Sequence, residues 1–261
     1  MLRSVIAMAA VILTAGVSRS AVVTKVVDYE FDGVKLKGFV AYDDAVKEKR
    51  PGVLVVHEWW GLNDYAKDRC KKLAALGYVA FAPDMYGEGK TTEHPMDAKK
   101  MADLTRANAK VWRGRAEAGL KQLKAQPNVD GDKLAAIGYC FGGTTCLQLA
   151  YSGADLKAVA TFHAAVTPVP TETDVKAVKG RVLICHGDAD FFIKAEDIKS
   201  FRDVLDKTKT KYEFVRYKDV FHSFTVHSAD KHNIKGMKYD KTADEDSWKR
   251  MLALFKETLG R

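Results

Sequence analysis

Seven residues, Gly138-Tyr139-Cys140-Phe141-Gly142-Gly143-Thr144, set a nucleophilic side chain between glycines two positions away on either side. The apolar run 134–138 before them reads as a strand, and Leu147 and Leu149 after them fall in a helical stretch. A nucleophile on such a cramped strand-to-helix turn needs small neighbours, because larger side chains would clash; the pattern is a nucleophile elbow with cysteine in place of serine. The turn holds the thiol at a helix N-terminus, whose partial positive charge favours thiolate. The corresponding chemistry is acyl transfer through an acyl-cysteine. Alone, the pattern describes a glycine-rich turn with a buried structural cysteine equally well.

Two later segments tip that balance. Run 181–185 ends in His186-Gly187-Asp188-Ala189-Asp190, and run 213–217 is followed by Val220-Phe221-His222-Ser223-Phe224. Nucleophile, acid and histidine thus follow three strands in order, each at a carboxyl end. Asp188 and Asp190 compete as the acid; Asp190 is favoured because the Gly-x-x-Asp turn projects it back towards a histidine, with Asp188 assigned to stabilising the turn. His222 is preferred to His227 and His232 because it comes directly off a strand. The i, i+5 spacing of these three histidines spreads them about 140° apart on a helix, so no metal is expected.

His57-Glu58-Trp59-Trp60-Gly61 follows run 52–56 and resembles the start of a zinc-helix motif, but Gly61 stands where the second histidine belongs. Gly89-Lys90-Thr91 echoes a phosphate loop, yet Asp84 occupies the first glycine position and His94-Pro95 interrupts any following helix. Glu58, beside two tryptophans at a strand end, reads as an acid lining a pocket rather than capping a surface loop.

These residues need a scaffold. Segments 22–29 and 34–42, separated by Asp32-Gly33, read as an antiparallel hairpin. Apolar runs at 52–56, 78–82, 134–138, 158–162, 181–185 and 213–217 alternate with helical stretches, which predicts an α/β fold with a mostly parallel sheet covered on both faces. Leu104, Ala107, Val111, Ala116, Leu120 and Leu123 share one helical stripe, and Trp248, Met251, Leu252, Phe255 and Leu259 another. Thr242 with Glu245 predicts a capping box that starts the last helix near 243. Irregular stretches 87–97 and 221–239 follow strands and are candidate walls of the site.

Length and composition agree with a single domain over 21–261 and exclude disorder and a disulfide-dense scaffold. Arg3, the small and apolar stretch 4–17, and Ser18-Arg19-Ser20 before Ala21 predict a secretory signal at 1–20, hence a periplasmic or secreted protein with no membrane association after the signal is removed. Removing it takes the formal charge from +8 to +6; the scattered lysines, usually near acids, read as a solvated surface rather than a nucleic-acid groove. Cys140 and Cys146, about 9 Å apart along one helix, cannot pair, while Cys70 and Cys185 remain a possible disulfide.

From about Val26 to the C-terminus the chain resembles the dienelactone hydrolase family, the cysteine-nucleophile branch of the α/β-hydrolases. The residues that carry the likeness are His57-Glu58-Trp59-Trp60-Gly61, Ala82-Pro83-Asp84-Met85-Tyr86, Gly138-Tyr139-Cys140-Phe141-Gly142-Gly143, Gly187-Asp188-Ala189-Asp190 and Phe221-His222-Ser223-Phe224. The resemblance implies a triad of Cys140, His222 and Asp190, with Glu58 as a fourth group that helps ionise the thiol when substrate enters. It also implies an oxyanion hole from the amides of Trp59 and Phe141. Family members acting on the chlorocatechol-derived lactone hold its carboxylate with arginines at two places that here read Gly87-Glu88 and Val226. Trp59, Trp60, Tyr86 and Phe224 are therefore expected as aromatic walls, with Ser223 as a polar contact, around an uncharged acyl group. The expectation is an exported, cofactor-free hydrolase of small esters, lactones or thioesters. Its rivals are an amide or peptide hydrolase and a catalytically silent binding protein on the same scaffold.

Overall fold

A computed structural model describes residues 22–261; the expected signal segment lies outside the described residues. Strands β1 (Val22–Phe31) and β2 (Val34–Asp43) pair antiparallel, with Phe31 opposite Val34. Asp32 and Gly33 between them both take positive φ, 53° and 76°, as the tight hairpin turn that matches strand twist requires.

The remaining strands are β3 (Arg50–Val56), β4 (Val79–Ala82), β5 (Val129–Tyr139), β6 (Ala158–Phe162), β7 (Arg181–Gly187) and β8 (Tyr212–Tyr217). They complete one eight-stranded sheet in the order β1-β2-β4-β3-β5-β6-β7-β8, parallel from β4 to β8. Helices α1 (Asp64–Ala75), α2 (Pro95–Ala107), α3 (Ala109–Lys124), α4 (Phe141–Tyr151), α5 (Glu172–Lys176), α6 (Ala195–Lys207) and α7 (Lys241–Leu259) cover it.

Successive side chains of β3 explain the two layers of core. Leu54 and Val56 point into a cluster with Trp112, Phe141, Leu147 and Phe201, beneath α3, α4 and α6. Val53 and Val55 point the other way, to Cys70, Leu73, Met251 and Phe255 beneath α1 and α7. All seven residues of β3 are buried, which accounts for its lack of polar alternation.

Three local expectations change. The stripe from Leu104 to Leu123 is two helices: Asn108 is extended, its side chain accepts from the Val111 amide to cap α3, and Leu104 is 65% exposed. An asparagine side chain that satisfies an orphan amide outcompetes continuation of the helix. The last helix is capped by Asp240, which accepts from the Ala243 amide, instead of by Thr242 and Glu245. All four cysteines are free thiols, so Cys70 and Cys185 are not bridged.

Candidate active site

At the elbow, Cys140 has φ 51° and ψ −116°, a conformation that non-glycine residues seldom adopt. Its amide donates to the Phe162 carbonyl on β6, and its carbonyl accepts from Gly143. The flanking glycines are sterically necessary. A Cβ on Gly138 would lie 2.1 Å from the Gly142 carbonyl oxygen, and one on Gly142 would lie 2.2 Å from that of Val56. Gly142 therefore backs directly onto the end of β3, and the loop 57–61 borders the elbow.

His222 meets this thiol from the loop after β8. Its backbone is fixed on both sides, the amide donating to Gly236 and the carbonyl accepting from Lys238. Nδ1 lies 2.6 Å from Asp190 Oδ2, both side chains buried, and the Cys140 sulfur acts electrostatically on the same ring. Burial opposes a charged imidazole, but the sulfur and the Asp190 carboxylate outweigh it and hold the ring well above its ordinary range. Asp190 is itself set by the turn, its amide donating to Gly187 and its Oδ1 accepting from Phe192. Asp188 points elsewhere, to Arg216 at 2.7 Å.

Glu58 is 2% exposed and accepts from Ser223 Oγ at 3.2 Å. Burial pushes its carboxyl from the usual 4.5 up to about 7, against the opposing pull of His222, Ser223 and Arg69. Such a group changes charge near neutrality, within the range useful for proton chemistry.

The loop carrying Glu58 is tied down by groups around β4. His57 Nε2 accepts from the Met85 amide, so Nδ1 carries the proton and donates to the Glu58 carbonyl at 2.5 Å. Tyr86 Oη donates to the Trp59 carbonyl at 3.0 Å. Asp84 organises this turn by accepting from the amides of Tyr86, Gly87, Gly89 and Lys37. These bonds fix the loop that carries Trp59 beside the elbow that carries Phe141.

The expected pocket walls divide. Tyr86 spends its hydroxyl proton on the Trp59 carbonyl. Trp60 is buried against His232, ring centroids 4.2 Å apart, and borders a separate cavity of about 820 Å³ with Thr91, Lys231 and His232. Ser223 holds Glu58. Phe224 is fully buried between His163 and Tyr217, so it is a core residue and not a wall: Ser223 takes a positive φ of 56°, and the turn it makes separates Phe224 from the His222 side of the loop. Phe191 and Phe192, exposed beside the His222 ring, supply the aromatic surface instead.

Sequence reading missed two nearby groups. Arg106, at the end of α2, lies over the Phe141 ring with its guanidinium carbon 5.1 Å from the centroid. His163, just after β6, packs edge-on to His222 at 5.0 Å and places Nδ1 4.0 Å from Glu58 Oε1. A histidine ending a central strand was the available signal for the second.

An elbow between a parallel strand and a helix, with an acid and then a histidine after later strands of the same sheet, here β7 and β8, defines the α/β-hydrolase fold. The model of the dienelactone hydrolase family matches residues 36–259, and the chain belongs to that family, which makes it a hydrolase. A solved dienelactone hydrolase-like promiscuous phosphotriesterase from metagenomic libraries superimposes with a TM-score of 0.88 at 39% identity, covering 91% of this chain and 99% of that one. Protein usf of Aquifex pyrophilus is 30% identical over 240 residues, 90% of this chain and 99% of its own length. A Synechocystis protein named "Putative carboxymethylenebutenolidase" is 28% identical over 253 residues, 90% of this chain and 97% of its own.

Proposed function

We propose that the protein hydrolyses carboxylic esters, lactones or thioesters through an acyl-cysteine formed on Cys140. The observation that carries this reading is the buried His222–Asp190 pair at 2.6 Å, whose ring is held charged by the sulfur of Cys140 on its strained elbow. His222 takes the thiol proton, and the sulfur adds to the substrate carbonyl carbon. The oxygen, now negative, is held by the amides of Trp59 and Phe141. When the tetrahedral intermediate collapses, His222 returns the proton to the departing alcohol, or thiol, oxygen or sulfur. Water then enters, gives a proton to His222 and attacks the acyl carbon; the acid leaves and Cys140 is restored. Asp190 keeps Nδ1–H of His222 engaged and stabilises the imidazolium.

Glu58 is the auxiliary group. In its ionised form it favours positive charge on His222 and assists removal of the thiol proton, so activity should rise with pH through about 7. The exposed Phe191 and Phe192 and the absence of arginine at 87–88 and 226 favour an uncharged acyl group. A chromogenic short-chain ester tests the reading: Cys140→Ala should lower turnover by on the order of 10³-fold or more. Retention of a tenth of the activity by that variant would place the chemistry elsewhere.

A further inference from the structure

His163 belongs to no step described above, yet its environment is unusual. The ring is wholly buried, clamped edge-on by His222 at 5.0 Å and Phe224 at 5.2 Å. Its Nε2 lies 2.8 Å from Thr225 Oγ1, which in turn lies 2.6 Å from Tyr65 Oη. Tyr65 Oη accepts from Arg69 Nε, and Arg69 is anchored by Asp244 and the Thr225 carbonyl.

The guanidinium can only donate, and this orders the chain. With Tyr65 accepting from Arg69, the one order that gives both hydroxyl protons an acceptor within this chain has Tyr65 donate to Thr225 and Thr225 donate to Nε2 of His163. Burial keeps the ring uncharged, so its one proton resides on Nδ1. That nitrogen has no hydrogen-bond partner and faces Glu58 Oε1 at 4.0 Å, too far for a bond in this resting arrangement. A buried donor left unpaired beside a buried carboxyl costs stability and is retained where another state uses it.

We propose that His163 is a positioning residue whose Nδ1–H is a second docking place for the Glu58 carboxylate, taken up when Glu58 moves from Ser223 during turnover. The proposal rests on the acyl-cysteine reading. The groups facing Glu58 are His222 and Ser223 from the loop after β8, Arg69 and Tyr65 from α1, Tyr139 from β5 and His163 after β6. Among the described residues facing Glu58, Tyr139 Oη and His163 Nδ1 are buried without a hydrogen-bond partner, and it is Nδ1 that stands 4.0 Å from Oε1. Docking there stabilises ionised Glu58 and sets the pH at which the thiol becomes reactive.

The test follows the pH dependence of Cys140 alkylation and of ester turnover in three variants, with thermal denaturation of each. His163→Asn keeps a donor where Nδ1 stands and suits the φ of 42° at this position. His163→Gln keeps only the Thr225 side, and His163→Leu keeps neither. In Gln and Leu the acidic limb should move up by about one pH unit, a tenfold loss of rate below it, and Asn should restore it. A purely structural role would instead lower stability in all three and leave the limb in place. An unmoved limb in Gln, or equal limbs in Asn and Gln, overturns the proposal; Cys140→Ala retaining activity overturns the underlying reading instead.

Discussion

Replacing Glu58 with glutamine should make the protein more stable at alkaline pH while slowing it. The unfolded chain ionises this carboxyl at its ordinary 4.5, whereas the folded chain holds the proton until about 7. Folding is therefore favoured below 4.5, and this contribution is lost as pH rises to about 7, after which the loss levels off. At about 1.4 kcal/mol per pH unit the full loss is about 3 kcal/mol, of which about 2 kcal/mol falls between pH 5.5 and 8. Glutamine retains an oxygen to accept from Ser223 Oγ but has no charge to desolvate. Urea denaturation of both proteins at pH 5.5 and 8 cancels the other titrating groups in the difference between them. The variant should gain about 2 kcal/mol on the wild type across that interval, corresponding to a rise in relative Tm of roughly 4–8 °C for a chain of this size. Turnover should fall in the same variant, since a buried ionisable acid is costly to folding and is kept for its chemistry. A stability difference constant to within about 0.5 kcal/mol between the two pH values would refute the burial argument, and unchanged kinetics would reduce Glu58 to a structural group.

Iodoacetamide should label Cys140 first, because Cys70, Cys146 and Cys185 are buried and burial pushes their thiols up, that of Cys185 to about 12; peptide mass mapping reads the order, and early labelling of Cys185 would contradict it. Asp190→Asn should cost on the order of 10³-fold or more in kcat by misorienting His222, measured on the same chromogenic ester with folding checked by circular dichroism. Uncharged short esters should show higher kcat/KM than the carboxylate-bearing dienelactone, because the Arg106 guanidinium is engaged over Phe141 and lies 3.7 Å from Asp103; the opposite preference, abolished by Arg106→Ala, would make Arg106 the substrate's cation. Export by residues 1–20 predicts a mature chain beginning at Ala21, which the intact mass of the extracytoplasmic protein checks.

What was legible beforehand is local. The elbow, the hairpin turn at Asp32-Gly33 and the order of nucleophile, acid and base are written in short windows, because steric demands on a tight turn and the apolar character of buried strands act over a few residues. Even there, competition between neighbours was hidden: Asn108 breaks a stripe that periodicity joins, and Asp240 takes the cap assigned to Thr242. What tertiary structure alone decides is which side chains converge. Strand order brings the carboxyl ends of β3, β5 and β6 and the loop after β8 together, so Glu58, Cys140, His163 and His222 meet although up to 164 positions separate them. The same packing sends Phe224 inward and leaves Ser223 to hold Glu58. Spacing along a chain specifies how a segment turns; the charge and proton state of the segment's side chains depend on burial and on neighbours contributed by other strands.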